Sequence, residues 1–582
     1  MRRMSSSGRL TTLAAALAMI APLACKKENR AAGEVSRNWM PVQQQQYLGV
    51  AAADVQAAIK TRLAGSPPQP VSADAWKHVK SLYTRFNQNL LWLDDKGVHQ
   101  PRVSALVNAL ANADSDAMRM DAYPLQDLAQ ALRALDKHPT AEQLANADVL
   151  LSSAYVAYGE NMLTGQMDPS QFNQNWHINR REERVDSALT LTLRTDDFAA
   201  GLGRMRPQDP MYDSLRTEYA KYRELVSRGG WQPVPDGKAL KRGVADSPAR
   251  ISALRARLAA EGYLADSTAA PAADSANTKA AGTRTSTRPV YDHQIAAAVA
   301  QFQARHGIVV DSMLGKETLD AMNVSPTYRL AQVAANLERY RWMPRDLGTR
   351  YILVNVPQFY LHAYDSGQKV LEMKVIVGQE YEDKATPVFS DSMEFVVFRP
   401  YWNVTPAIAA KEIFPKEASN PGYLAANNME VYNDHGRQAV RQLPGPKNSL
   451  GLVKFMFPND FNIYLHDTPN DELFKKDVRA FSHGCIRLEK PAELAQWVLG
   501  WPADRVRQAM ENGPNNKQVN LPHKIPVYIV YFTAFVDNGQ LGFGNDLYER
   551  DSKLVSALSN VAVPSDQTRQ AQQALRDLAK GS

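Results

Sequence analysis

From about residue 48 to residue 232, apolar side chains recur at spacings of three and four, the repeat of helices that bury one face. The stretches 55–59, 76–82, 103–110, 125–135 and 141–158 carry it most clearly, with Gly and Pro punctuating at 65–70 and 229–230. A second, smaller unit is predicted over 236–325. In it a helix at 251–258 stops near Gly262, a second at 295–306 stops at Gly307, and a third begins within 311–319. The intervening 266–288 is rich in Ala, Ser and Thr and predicts a disordered insertion. Beyond residue 330 the period shortens to two: 351–356, 374–377, 395–398 and 525–531 alternate as strands. Residues 405–444 interrupt that alternation with a helix-prone stretch (407–413) and the loop-like Asn420-Pro-Gly422. The expected fold is multi-domain α+β: a helical domain at 48–232, a three-helix unit at 236–325, a mainly β domain at 330–537 and a charged helical tail at 538–582.

Composition sharpens this in two places. A chain of 582 residues, 44% hydrophobic and 22% charged, can bury several cores, about three or four at roughly 150 residues each. A net charge of +6 over that length is mild, and no basic run with interleaved aromatics points to nucleic acid. The N-terminus says more. Arg2 and Arg3 precede an apolar run over 10–24 that is short for a bilayer span and has the form of a secretory signal. Pro22-Leu-Ala-Cys25 ends it, so 1–25 resembles a bacterial lipoprotein leader with Cys25 as the lipidated residue; plain cleavage or an uncleaved anchor are the alternatives. The polar 26–47 would then be a tether from the membrane.

The chain holds two cysteines, and Cys485 stands outside the leader. In an oxidising compartment a lone thiol is there for chemistry more than for a disulfide. His466 ends an apolar alternation (Phe461, Ile463, Leu465), fifteen residues separate it from Ser482, and Ser482-His-Gly-Cys485 leads into a second alternation. Two neighbouring strands would bring imidazole and thiol together, and a thiol becomes a nucleophile when a base takes its proton. An inert buried cysteine is one alternative. A zinc site of His466, His483 and Cys485 is another, though it lacks a fourth ligand. His78, His99, His138 and His177 are expected to be structural or surface residues.

The pattern His-x(15)-Ser-His-Gly-Cys-x-Arg closely resembles the YkuD-type L,D-transpeptidases, which cross-link peptidoglycan stem peptides. The likeness continues through Tyr351-Ile-Leu-Val-Asn-Val-Pro357, Val375-Ile-Val-Gly378, Ala385-Thr-Pro387, Pro400-Tyr-Trp-Asn-Val404, Pro444-Gly-Pro-Lys-Asn-Ser-Leu-Gly451 and Val453-Lys-Phe-Met-Phe-Pro-Asn459. It is greatest to the large, multi-domain YcbB-like members, whose helical scaffold 48–232 also resembles. The phrases Arg257-Leu258…Gly262-Tyr-Leu264, Ala298-Val299…Phe302-Gln303…His306-Gly307 and Leu314-Gly315…Thr318-Leu319 are similar to a peptidoglycan-binding domain. A plain three-helix bundle without a ligand is the alternative there.

The resemblance implies a periplasmic enzyme without a cofactor, acting on stem peptides and glycan. Cys485 would attack the third residue of a donor tetrapeptide, His466 would serve as a base titrating near neutrality, and the Gly484 and Cys485 N–H groups would hold the oxyanion. His483 would support the site, with auxiliary base as the alternative, and Ser482 would hydrogen-bond locally. Arg487 would grip a substrate carboxylate or pair with a structural acid; Tyr464 and Trp402 would line the cleft. Residues 405–444 would be a lid that excludes water. A carbapenem would acylate the thiol. A wall-peptide hydrolase and a non-catalytic wall-binding scaffold are the rival functions.

Overall fold

In the computed structural model the described residues are 41, 44–98, 100–135, 138–172, 175–178, 185–265, 289–380, 384–559 and 565–580. Cys25 with the leader, His99 and the insertion 266–288 lie outside them. The fold is multi-domain α+β, as expected. Among the described residues no helix is long and apolar enough to cross a membrane.

The helical part is built on well-capped helices. Ser72 caps Ala73–Arg85 by accepting from the Ala75 N–H, and Thr140 with Gln143 forms a reciprocal capping box on Ala141–Thr164. Three helices begin with a capping side chain followed by proline: Asp209 before Pro210–Ser227, Ser247 before Pro248–Ala260 and Ser325 before Pro326–Arg341. Helix Ala141–Thr164 is buried nearly all round and forms the axis of the scaffold core. The small unit is three helices, Pro248–Ala260, His293–Arg305 and Lys316–Met322, around Leu254, Leu258, Val299 and Phe302.

The β domain is one sheet whose strands follow the order Val453–Met456, Leu465–His466, Ile486–Leu488, Gln368–Gly378, Tyr360–Asp365, Arg350–Asn355, Lys517–Val530, Val388–Phe398. Val453–Met456 also pairs with Val388–Phe398, so the path closes on itself. The scaffold contributes to it: its strand Trp176–His177 pairs in parallel with Val388–Phe389 at the outer edge. Residues 405–444 form an appendage with its own small core of Val404, Ala409, Ile413 and Val440. It consists of short helices and two strands that, with Trp402–Asn403 just before it, make a three-stranded sheet ordered Trp402–Asn403, Arg437–Gln442, Met429–Asp434.

Two elements join the parts. Residues 336–341 belong to a helix, Pro326–Arg341, whose residues 329–341 are all buried while its first turn is partly or fully exposed. Residues 538–582, expected as a charged helical tail, pack into the fold. Gln540–Phe543 completes a hairpin with Ala534–Asp537, Ser552–Leu558 buries Leu554, Val555 and Leu558 in the β-domain core, and Asp566–Lys580 packs on the scaffold through Leu575. Alternating charge along a helix suggests a solvated face, and only the fold reveals the apolar stripe's partner.

Candidate active site

Strand Leu465–His466 runs antiparallel to Val453–Met456 and parallel to Ile486–Leu488, with Lys454 opposite His466 and His466 opposite Arg487. Residues opposite one another in a ladder share a face, as do residues two apart on a strand. Lys454, His466 and Arg487 therefore make one row across the sheet, and Tyr464 and Cys485 stand in the next. A hydrogen bond from the Ile486 N–H to the Tyr464 carbonyl, 3.1 Å, carries the ladder to that second row.

The turn 482–485 is held by its own serine. The Ser482 hydroxyl donates to the Cys485 carbonyl oxygen and accepts from the Gly484 N–H at 3.1 Å. Gly484 sits at φ +111°, and a Cβ there would meet Ile463 Cδ1 at 3.0 Å, so the position needs glycine. That N–H was expected to face an oxyanion; in this arrangement it is already taken by Ser482.

Cys485 is half-buried and its thiol donates to the Asn462 carbonyl at 3.7 Å. Burial pushes the thiol up to about 11, against hydrogen bonds from the Tyr464 backbone and hydroxyl and the attraction of Arg487 and Lys454. His466 is buried, with Nδ1 2.6 Å from the Asp467 carbonyl oxygen. A carbonyl only accepts, so Nδ1 carries the proton and Nε2 keeps its lone pair. Burial first, then the Arg487 and Lys454 cations, push this imidazole down to about 3. The expectation of a histidine titrating near neutrality is thereby corrected: it is held neutral, as a base without its proton.

His483 turns the other way. Its Nε2 lies 2.7 Å from Glu412 Oε1 in the 405–444 appendage, and Lys384 Nζ stands 3.7 Å from the same oxygen. The alternative zinc set of His466, His483 and Cys485 is thus not assembled, and among the described residues no three His, Cys, Asp or Glu cluster as metal ligands. Trp402 lies in the appendage's sheet and packs against its small core.

Three further groups escaped the sequence reading. The Thr386 hydroxyl accepts from the Gly378 N–H and donates to the Gly484 carbonyl, both at 2.9 Å, while Tyr548 donates to the Gly378 carbonyl at 2.8 Å. The C-terminal segment therefore braces the turn from behind. His177 of the scaffold packs on Phe461, ring centroids 4.7 Å apart, beside the loop that presents Asn462. Lys454 is the third; its amine lies 5.5 Å from the Tyr464 ring centre. The Ala385-Thr-Pro387 phrase and the lysine of Val453-Lys-Phe were visible as motifs, but their contacts depend on register.

Residues 349–529 match the family described as "L,D-transpeptidase catalytic domain". That region matches a YkuD domain. Residues 77–218 match "Scaffold domain", and 247–322 match "Putative peptidoglycan binding domain". A Haemophilus influenzae protein named "Putative L,D-transpeptidase" is 32% identical over 245 residues, which cover 38% of this chain and 48% of that protein. The chain thus spans about half the length of this curated relative. A solved L,D-transpeptidase from Xylanimonas cellulosilytica is 16% identical over an alignment covering 51% of this chain and 100% of that one, with a TM-score of 0.16. The Cys485 row lies inside the YkuD domain, and the Glu412 appendage is an insertion within it.

Proposed function

We propose that the protein is a cell-envelope L,D-transpeptidase that joins peptidoglycan stems by acyl transfer through a Cys485 thioester, forming 3-3 cross-links. The observation that carries this reading is the neutral His466, its Nε2 lone pair available, on the same face as the thiol. Cys485 Sγ attacks the carbonyl of the donor's third residue as His466 Nε2 takes the thiol proton. The tetrahedral intermediate collapses, the C–N bond breaks, and His466 returns the proton to the departing D-alanine amine. An amine on a second stem then attacks the thioester carbonyl, the C–S bond breaks, and His466 takes the amine proton and passes it to the departing Cys485 sulfur. With the Gly484 N–H bound to Ser482, the Cys485 N–H is the donor left for the oxyanion. Ser482 fixes the turn, His483 ties it to the appendage, Tyr464 lines the thiol, and Arg487 contacts substrate. Trp402 is assigned to the appendage wall of the cleft.

The domain order supports an enzyme working at the wall: a lipidated Cys25 and tether 26–47 would hold the helical domain, wall-binding unit 236–325 and catalytic domain on the periplasmic side. The appendage 405–444 acts as a lid, because water competes with the amine for the thioester.

Site variants test the assignment. Cys485→Ala is expected to fold and to form no joined stems. His466→Ala is expected to lose acylation by about two to four orders of magnitude, the usual worth of a general base, and His483→Ala far less. Equal losses in the two histidine variants would show the base to be misassigned, and shortened monomeric stems from the parent would assign a peptidase instead.

A further inference from the structure

Two cations flank His466 with nothing to neutralise them. Lys454 and Arg487 sit directly opposite it on the two neighbouring strands, so both project from the face that bears Cys485. Both are half-buried. Among the described residues neither forms a hydrogen bond or an ion pair, and the histidine between them is neutral; Lys454 meets only the Tyr464 ring face, at 5.5 Å from its centre. Removing a charge from water without a partner is costly, and such groups are normally paired. Among the described residues no acid pairs with either: Glu412 of the lid is engaged with His483 and Lys384, and Asp467 accepts from the Leu452 and Thr468 backbone N–H groups at 2.7 Å each. The pair has the form of an anion site awaiting its anion, one member a forked guanidinium suited to a carboxylate and the other a point charge.

We propose that Lys454 and Arg487 together bind the free carboxylate of the residue that leaves, making Lys454 a specificity-determining residue beside the nucleophile. The proposal rests on the acyl-transfer reading above. In a donor whose third-residue carbonyl is attacked by Cys485, the leaving residue's carboxylate lies two atoms beyond the scissile nitrogen, on the face these cations share. Charge neutralisation then comes with substrate: the free enzyme carries two uncompensated cations, and a bound donor compensates them. A stem ending in a carboxamide, or a longer stem whose carboxylate is displaced by a residue, loses that contact.

The test uses N-iodoacetyl-D-alanine and its carboxamide on the full chain. The two differ in one charge; in both, the Cys485 sulfur bonds to the methylene carbon, iodide leaves and the thiol proton passes to buffer. The rate ratio, acid over amide, is read at Cys485 by peptide mass mapping, with the urea-unfolded chain as reference. The folded protein is expected to favour the acid by about tenfold over that reference. Lys454→Met should lower the preference at least threefold, and Lys454→Arg should keep it. A folded ratio no higher than the unfolded one, or Lys454→Met slowing both reagents alike, would overturn the carboxylate site. Because alkylation needs no acyl transfer, it separates this proposal from failure of the function itself. With tetrapeptide donors, Lys454→Met should raise KM for the carboxylate form and leave the carboxamide form unchanged; an equal rise in both would likewise overturn it.

Discussion

At the residue scale, the thiol and the imidazole are both held neutral. Burial raises Cys485 to about 11 and lowers His466 to about 3, so no thiolate–imidazolium pair stands ready in the resting site. In the proposed mechanism the proton leaves the sulfur as the bond forms, with His466 Nε2 as acceptor. The sign of the pH dependence follows. A thiol raised above its ordinary value is mostly protonated at neutral pH, and each unit of pH below about 11 cuts its thiolate tenfold, so iodoacetamide modification of Cys485 should climb about tenfold per unit between pH 7 and 10. A plateau reached near neutrality would reveal a preformed ion pair and contradict the arrangement. Cys485 and the Ser482 turn were legible in the sequence because Ser-His-Gly-Cys is contiguous and its thiol rare, and His466 because it ends an alternating run with fifteen residues between it and Ser482. Lys454 was not, because a lysine in an alternating strand looks like any solvent-facing position until the register sets it opposite His466.

At the element scale, the appendage 405–444 touches the nucleophile's turn through Glu412. The short Pro406–Ile408 helix and the wider turn that follows it, Ala409–Ile413, present that carboxylate to His483 and Lys384. The His483 hydrogen bond is the main reason Glu412 stays below the ordinary carboxylate range. If this contact holds the lid over the thioester, Glu412→Ala should raise the share of hydrolysed over joined stems several-fold while the fold persists. An unchanged product ratio would deny the appendage that role. The strands were foreseeable as cores of the observed ones: 395–398 lies within Val388–Phe398 and 525–531 overlaps Lys517–Val530. Their full lengths were not, because 390–392 of the first and 517–524 of the second are partly or fully exposed and break the apolar alternation with polar residues. The pairing of Trp176–His177 with the YkuD sheet was also invisible, since two residues carry no periodicity.

At the scale of the whole molecule, helix Pro326–Arg341 holds the parts together. Glu338 pairs with Arg341 and accepts from the Met167 N–H at 2.8 Å, tying in the scaffold. Arg339 meets Asp551 at 2.6 Å, fully buried, and Asn336 donates to Thr533 at 3.0 Å, tying in the C-terminal segment that braces Thr386. A buried pair adds little over an apolar replacement, yet breaking it strands one charge. Arg339→Met should therefore cost about 3–5 kcal/mol, seen as a fall in Tm. The double change Arg339→Met with Asp551→Leu should cost less than the single one; a greater loss would mean the pair is not the source. The packing of the C-terminal helix was not legible in its own sequence. A charged, amphipathic helix such as Asp566–Lys580 offers one apolar stripe, and its partners, Gln100–Ala111 and Leu125–Arg133, lie more than four hundred residues earlier.

The most direct test of the account is intact-mass analysis of the full chain incubated with a disaccharide-tetrapeptide, and separately with a carbapenem. The account predicts a muropeptide dimer that has lost one D-alanine and a drug adduct that maps to Cys485. Shortened monomers with no dimer, or a chain whose Cys485 takes up neither acyl group, would contradict it.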